Sequence, residues 1–176
     1  GYHAGRLIST GVQNTLIGGL AGDALTTSTS NTAVGYEALS TATTYSENSA
    51  IGYRALKVNT TGYSNTAVGH EAMLANTTGI SNVAVGHDAM LSATTSPSNT
   101  VIGHTSGANI TTGTGENVIV GNRAGFGVTT GAQNVIIGDN ACANGTMTGG
   151  LNVVIGDNAG LSMTTGASNV AVGGAS

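Results

Sequence analysis

The chain has no tryptophan, one phenylalanine, one proline and one cysteine among 176 residues, and only 7% of it is charged. Each shortage closes a class of protein. Without bulky aromatics there is no aromatic-centred core, so apolar packing falls to Ala, Val, Ile and Leu, punctuated by 29 glycines. The lone Cys142 gives no disulfide framework and reads as a small buried filler. Four basic residues against eight acidic ones, a net charge of −4, leave no clustered cationic face for nucleic acid. No stretch approaches the ~18 consecutive apolar residues of a membrane span, so membrane insertion is not expected. A Ser/His/Asp set, a phosphate loop and zinc-ligand spacing are also missing. The sequence therefore implies no cofactor, and it does not read as that of an enzyme.

What is present is a beat. Asparagine, three residues and glycine recur as Asn14-Thr-Leu-Ile-Gly18, Asn31-Thr-Ala-Val-Gly35, Asn48-Ser-Ala-Ile-Gly52, Asn65-Thr-Ala-Val-Gly69 and Asn82-Val-Ala-Val-Gly86. The series continues with Asn99, Asn117, Asn134, Asn152 and Asn169, at steps of 17 residues except for two of 18. A fixed short period marks a solenoid, one coil per repeat. Seventeen residues cannot hold a three-turn helix and its connections. The expected fold is thus all-β: a parallel β-solenoid (β-roll or β-helix) of about 17-residue coils, spanning 1–176 as one array. Ten coils start from Asn14, with partial coils at both ends, as in a segment of a longer fibre protein. Nine steps at ~4.8 Å make a rod of about 43 Å.

Counting from each Asn as zero, every column has its own chemistry. Position +3 is always Val or Ile, which suits a buried strand position. Position +2 alternates to the other face yet is apolar too. A strand apolar on both faces is expected to be covered on both, one side by the coil interior and the other by a second chain. The ten Asn are expected at a corner, pairing with backbone of their own turn and of stacked neighbours. Position +7 is nearly always Ala, a crowded spot, and the +4 Gly implies a conformation that other residues resist. The Thr-Thr pair at +12 and +13 is read as a second, more exposed strand. Volumes at +2 and +8 trade: Ala33 with Leu39 and Ala67 with Met73, but Val101 with Gly107 and Ile119 with Gly125. Close packing penalises voids and overfilling alike, so the two columns are expected to fill one space.

The stretches "NTAVGYEAL", "NTAVGHEAMLANTTG" and "NVIIGDNA" resemble the short repeats of phage tail-fibre-like proteins. They are also similar to the head repeats of trimeric autotransporter adhesins, which form a left-handed parallel β-roll of three chains. The resemblance covers essentially the whole chain. The period is longer than is usual in those adhesin heads, and the strand motif is one residue tighter. It implies an intertwined or side-by-side homotrimer, extracellular, on a virion tail or a cell surface. The role so implied is structural and adhesive, with a cell-surface glycan or protein receptor as partner beside the chain itself. Two other classes are weighed. Regularly spaced Thr suggests an ice-binding solenoid, and a β-helical spike depolymerase would need grooved carboxylate pairs.

Two columns carry polar chemistry. At +5 run Tyr36, Tyr53, His70, His87, His104, Asn122, Asp139 and Asp157. His70, His87 and His104 are the candidates for a metal, anion or pH-sensitive site, and Asp139 and Asp157 for a calcium corner. The change of residue type along the column favours a tolerant turn position, so no metal is expected. At +6 the run Glu37, Arg54, Glu71, Asp88 predicts an alternating surface ladder.

Overall fold

The structure, a computed structural model, describes residues 1–175. It is an all-β parallel solenoid. Each coil contributes one three-residue strand immediately after its Asn: β1 Thr15–Ile17, β2 Thr32–Val34, β3 Ser49–Ile51, β4 Thr66–Val68, β5 Val83–Val85, β6 Thr100–Ile102, β7 Val118–Val120, β8 Val135–Ile137, β9 Val153–Ile155 and β10 Val170–Val172. The ten strands form a single parallel sheet in chain order. Register follows the repeat, with Ala50 opposite Ala67 and Val101 opposite Ile119.

Alternation along the strand settles which apolar column lies inside. The +2 side chains from Ala33 to Val154 are fully buried. The +3 column, read as a buried strand position, points out of the coil within one chain: Ile17 is 58% exposed, Ile51 41% and Ile102 40%. The interior already holds +2 together with the long residues of two turns, so the sheet can turn only one face inward.

Those turns use the +8 and +11 columns. Where +2 is Ala, +8 is Leu39, Leu56, Met73 or Met90, all fully buried, and +11 is Ala42, Asn59, Asn76 or Ala93. Where +2 is large, +8 is Gly or Cys and +11 is Leu25, Ile110, Val128 or Met163. Met147 takes the +11 role in the longer coil, bridging to Val128. A Cβ on Gly22 would stand 2.8 Å from both Leu16 Cδ2 and Leu25 Cδ1. On Gly107 it would stand 2.9 Å from Ile110 Cδ1 and 3.3 Å from Val101 Cγ1. The shared space thus lies within one chain and has three contributors.

No second strand forms at the Thr-Thr pair. There the N–H groups of Thr60, Thr61 and Gly62 converge on the single carbonyl of Thr77, and those of Thr77, Thr78 and Gly79 on Thr94. Donors gathered on one acceptor make a turn, because a ladder requires them to alternate in direction.

The corners demand left-handed backbone. At +6, +8 and −1 non-glycine residues repeatedly take φ between 50° and 63°, among them Arg54, Leu56 and Ser64. Of these residues only Thr105 is β-branched, in line with the steric cost of that region. At +4 the φ of 131–141° admits only glycine, and a Cβ on Gly52 would overlap the carbonyl of Gly69 in the next coil.

Candidate functional site: the polar columns beside the sheet

The strands end at the +4 glycine, and the following turn throws +5 and +6 outward one after the other. Coil upon coil these become two adjacent columns. At +5 the rings stack almost face to face. Tyr36 and Tyr53 lie 5.8 Å apart between centroids, Tyr53 and His70 5.0 Å, and His70 and His87 4.6 Å with planes 6° apart. His87 and His104 follow at 5.2 Å, tilted by 34°. Beyond them Asn122 continues the ladder, its Oδ1 lying 3.2 Å from His104 Nδ1 and its Nδ2 donating to Asp139 Oδ1 at 2.8 Å. The stacked rings cover one another and present edges to solvent. Between them no ring face is free for a sugar to lie on.

At +6 the charges alternate as expected. Arg54 reaches Glu37 at 2.9 Å and Glu71 at 3.5 Å, and Lys57 adds a second contact to Glu37 at 2.7 Å. Lys57 first, and Arg54 with it, hold the Glu37 carboxyl below its usual range against the opposing effect of burial. Contact with Glu37 raises Arg54 in turn. Arg54 also lies 5.0 Å from the Tyr53 ring centroid. Pairs this exposed contribute at most ~1 kcal/mol each.

The sequence candidates part company here. His70 and His87 are brought together, and the residue that joins them is Asp88, which the column-by-column reading placed elsewhere. Asp88 Oδ2 lies 3.2 Å from His87 Nδ1, and Oδ1 lies 3.7 Å from His70 Nδ1. Among the described residues these three are the one group of His, Cys, Asp or Glu whose ligand atoms all approach within 4.8 Å. His104 stands apart from that group, since its +6 neighbour is Thr105, whose hydroxyl lies 3.4 Å from His104 Nδ1. Asp139 is held by amides, accepting from Asn122 and from Asn140. Asp157 follows one coil on in the same column and is exposed.

On the other side of the strand runs the Asn column. Each Asn Oδ1 accepts the backbone N–H of the next Asn, as from Asn31 to Asn14 at 3.0 Å and from Asn82 to Asn65 at 3.0 Å. The Nδ2 donates across the coil to the backbone at the last corner, as from Asn65 to Gly79 O at 2.8 Å and from Asn117 to Gly131 O at 3.0 Å. Asn31, Asn48, Asn65, Asn82, Asn99, Asn117, Asn134 and Asn152 are buried, Asn14 is half-buried and Asn169 exposed. In the buried copies both amide atoms are engaged within the ladder. A shorter ladder of Asn59 and Asn76 lies inside the coil, joined at 2.8 Å.

Cys142 is buried in the core, where desolvation pushes its thiol up to about 11. That environment suits packing and disfavours a thiolate nucleophile. Two shallow recesses at the last coil are lined by Gly160, Met163 and Ala171, columns that the next coil covers everywhere else. Comparison of the chain with protein-family models, with curated proteins and with solved structures gave no match.

Proposed function

We propose that this chain is a rigid shaft segment of an extracellular homotrimeric fibre, of the phage tail-fibre or surface-adhesin kind. One observation carries the reading. The outer face of the ten-stranded sheet carries an apolar column unbroken from coil to coil. Val and Ile fill +3, and Thr, Ser or Val fill +1, with Val118 39% exposed and Ile137 37%. Contiguous apolar surface of this kind marks a contact site, and a stripe running the length of a repeating rod is matched best by an identical rod. Three parallel copies about a common axis would cover the strip on each chain. The resemblance of the repeats to tail-fibre and adhesin sequences supports the same arrangement.

The columns at +5 and +6, with their stacked ring edges and charge ladder, lie off that strip and stay free for a cell-surface glycan or protein receptor. No catalytic step belongs to this reading. The ice-binding alternative loses ground, because the +12 hydroxyls donate to backbone carbonyls of the next coil. Thr60 Oγ1 bonds Thr77 O at 3.0 Å and Thr77 Oγ1 bonds Thr94 O at 3.0 Å. The +13 residues of the pair, such as Thr61 and Thr78, are exposed.

Sedimentation equilibrium tests the proposal. The expected mass is three times the 17.1 kDa of one chain. Ile102→Glu combined with Ile137→Glu, both outside the coil, is expected to give a folded monomer. A monomeric parent protein, or a trimer indifferent to both charges, would overturn it.

A further inference from the structure

The ladder of charges at +6 is incomplete at one place. Glu37, Arg54 and Glu71 alternate, but Asp88 follows Glu71 with no base between them, and Thr105 comes next. Among the described residues, the basic side chains in contact with Asp88 are the imidazoles of His70 and His87. Its Oδ1 is buried and accepts no hydrogen bond among those residues. A carboxylate with one shielded oxygen that accepts no hydrogen bond, flanked by two imidazole nitrogens, is a donor set suited to a cation.

We propose that His70, His87 and Asp88 bind one divalent ion of the zinc or nickel class, which clips two adjacent coils on the side of the shaft. Geometry and chemistry both point there. Zinc holds nitrogen at ~2.0–2.1 Å and oxygen at ~2.0–2.2 Å, so tetrahedral ligand atoms stand about 3.3–3.5 Å from one another. The carboxylate-to-imidazole separations run through its two oxygens, 3.2 Å from Oδ2 to His87 and 3.7 Å from Oδ1 to His70, and each lies near that spacing. The imidazole planes are parallel, with the side chains 45% and 50% exposed, so each ring is free to turn about its Cβ–Cγ bond and aim Nδ1 at a common point. That turn gives up part of the stacking with Tyr53 and His104. The backbone needs no change, because Asp88 already takes a φ of 55° that sets its carboxylate beside the preceding His87 ring.

Two imidazoles and one carboxylate favour zinc, nickel or copper over magnesium or calcium, which want more oxygen ligands. Three protein ligands leave a coordination position for water or for a donor from a bound partner. The site belongs to one coil pair. One coil further, the corresponding neighbour is Thr105, and His104 turns to Asn122.

Calorimetric titration of untagged, metal-stripped protein with ZnCl2 tests the assignment, with MgCl2 as control. One zinc per chain is expected, with at least tenfold weaker binding in His87→Ala and in Asp88→Asn. His104→Ala and Asp139→Asn are expected to bind as the parent does. Zinc should also raise the Tm of the parent and of His104→Ala, and leave that of His87→Ala unmoved. His87, His104 and Asp139 are exposed and Asp88 half-buried, and circular dichroism checks that each variant keeps the fold. No saturable binding, or binding equally strong in His87→Ala and Asp88→Asn, would overturn the proposal.

Discussion

At the scale of single residues, the buried asparagine column carries the strictest chemistry. Asn65 donates its backbone N–H to Asn48 Oδ1 at 3.1 Å and its Nδ2 to Gly79 O at 2.8 Å and Asn48 Oδ1 at 3.3 Å. Its own Oδ1 accepts from both nitrogens of Asn82, at 3.0 Å and 3.2 Å. Truncation to alanine strands the Asn82 N–H in a place that water does not reach and takes one of two donors from the Gly79 carbonyl, which keeps Asn76 Nδ2 at 3.2 Å. A buried polar group left unpaired costs about 1–3 kcal/mol. Asn65→Ala is therefore expected to lower stability by roughly 2–4 kcal/mol. Asn14→Ala, at a half-buried position, should cost about half as much. Urea unfolding of the two variants checks this, and equal losses would show that burial does not set the cost. The same reasoning explains why an Asn recurs in every coil: each copy solves the same corner.

At the scale of the coil, the core is a three-way exchange of volume, and part of it was legible from sequence. The +2 and +8 columns betrayed one another because Ala beside Leu and Val beside Gly conserve volume. The third member, +11, was hidden, because Asn59 and Asn76 break its apolar character while bonding to each other inside the coil. The +3 column left the inner face undecided for a physical reason: β-branching reports a strand, and it does not say which face is inside. Left-handed corners were invisible, since Leu56, Arg54 and Ser64 carry no sequence mark of that conformation. In the candidate site the His column could be read, but Asp88 was missed. Neighbours in sequence are assumed to diverge, and the left-handed turn at Asp88 reverses that rule.

The exchange yields a sharp test. Gly107 has the same left-handed φ as Leu39 or Met90, so its backbone tolerates a side chain and only the space is lacking. Gly107→Leu alone should cost ~3 kcal/mol or more through overpacking. Val101→Ala should recover part of the loss, and adding Ile110→Ala most of the rest, because the triple variant rebuilds the Ala–Leu–Ala pattern of Ala33, Leu39 and Ala42. Strict additivity of the three changes in thermal unfolding would refute a shared space.

At the scale of the molecule, coils touch only their neighbours, so stability is close to a sum of coil and interface terms. Removing one whole coil should leave a working solenoid, and the +6 ladder says which coil. Deleting residues 65–81 brings Asn82 onto Asn48, Ala84 onto Ala50 and Met90 onto Leu56, all like for like. It also sets Asp88 beside Arg54 and preserves alternation. Deleting residues 48–64 makes equally good core joins but removes Arg54 and Lys57, leaving Glu37, Glu71 and Asp88 in succession. Both deletions break the Asn59–Asn76 bond once, so that loss cancels in the comparison. The second variant is expected to be less stable by about 1 kcal/mol at low salt, the scale of exposed charge contacts. The gap should close towards 1 M salt, where screening acts within ~3 Å. Far-UV circular dichroism melts at two ionic strengths provide the measurement. If either deletion abolishes the fold, the coils are not independent units, and if the gap ignores salt, the ladder is not electrostatic.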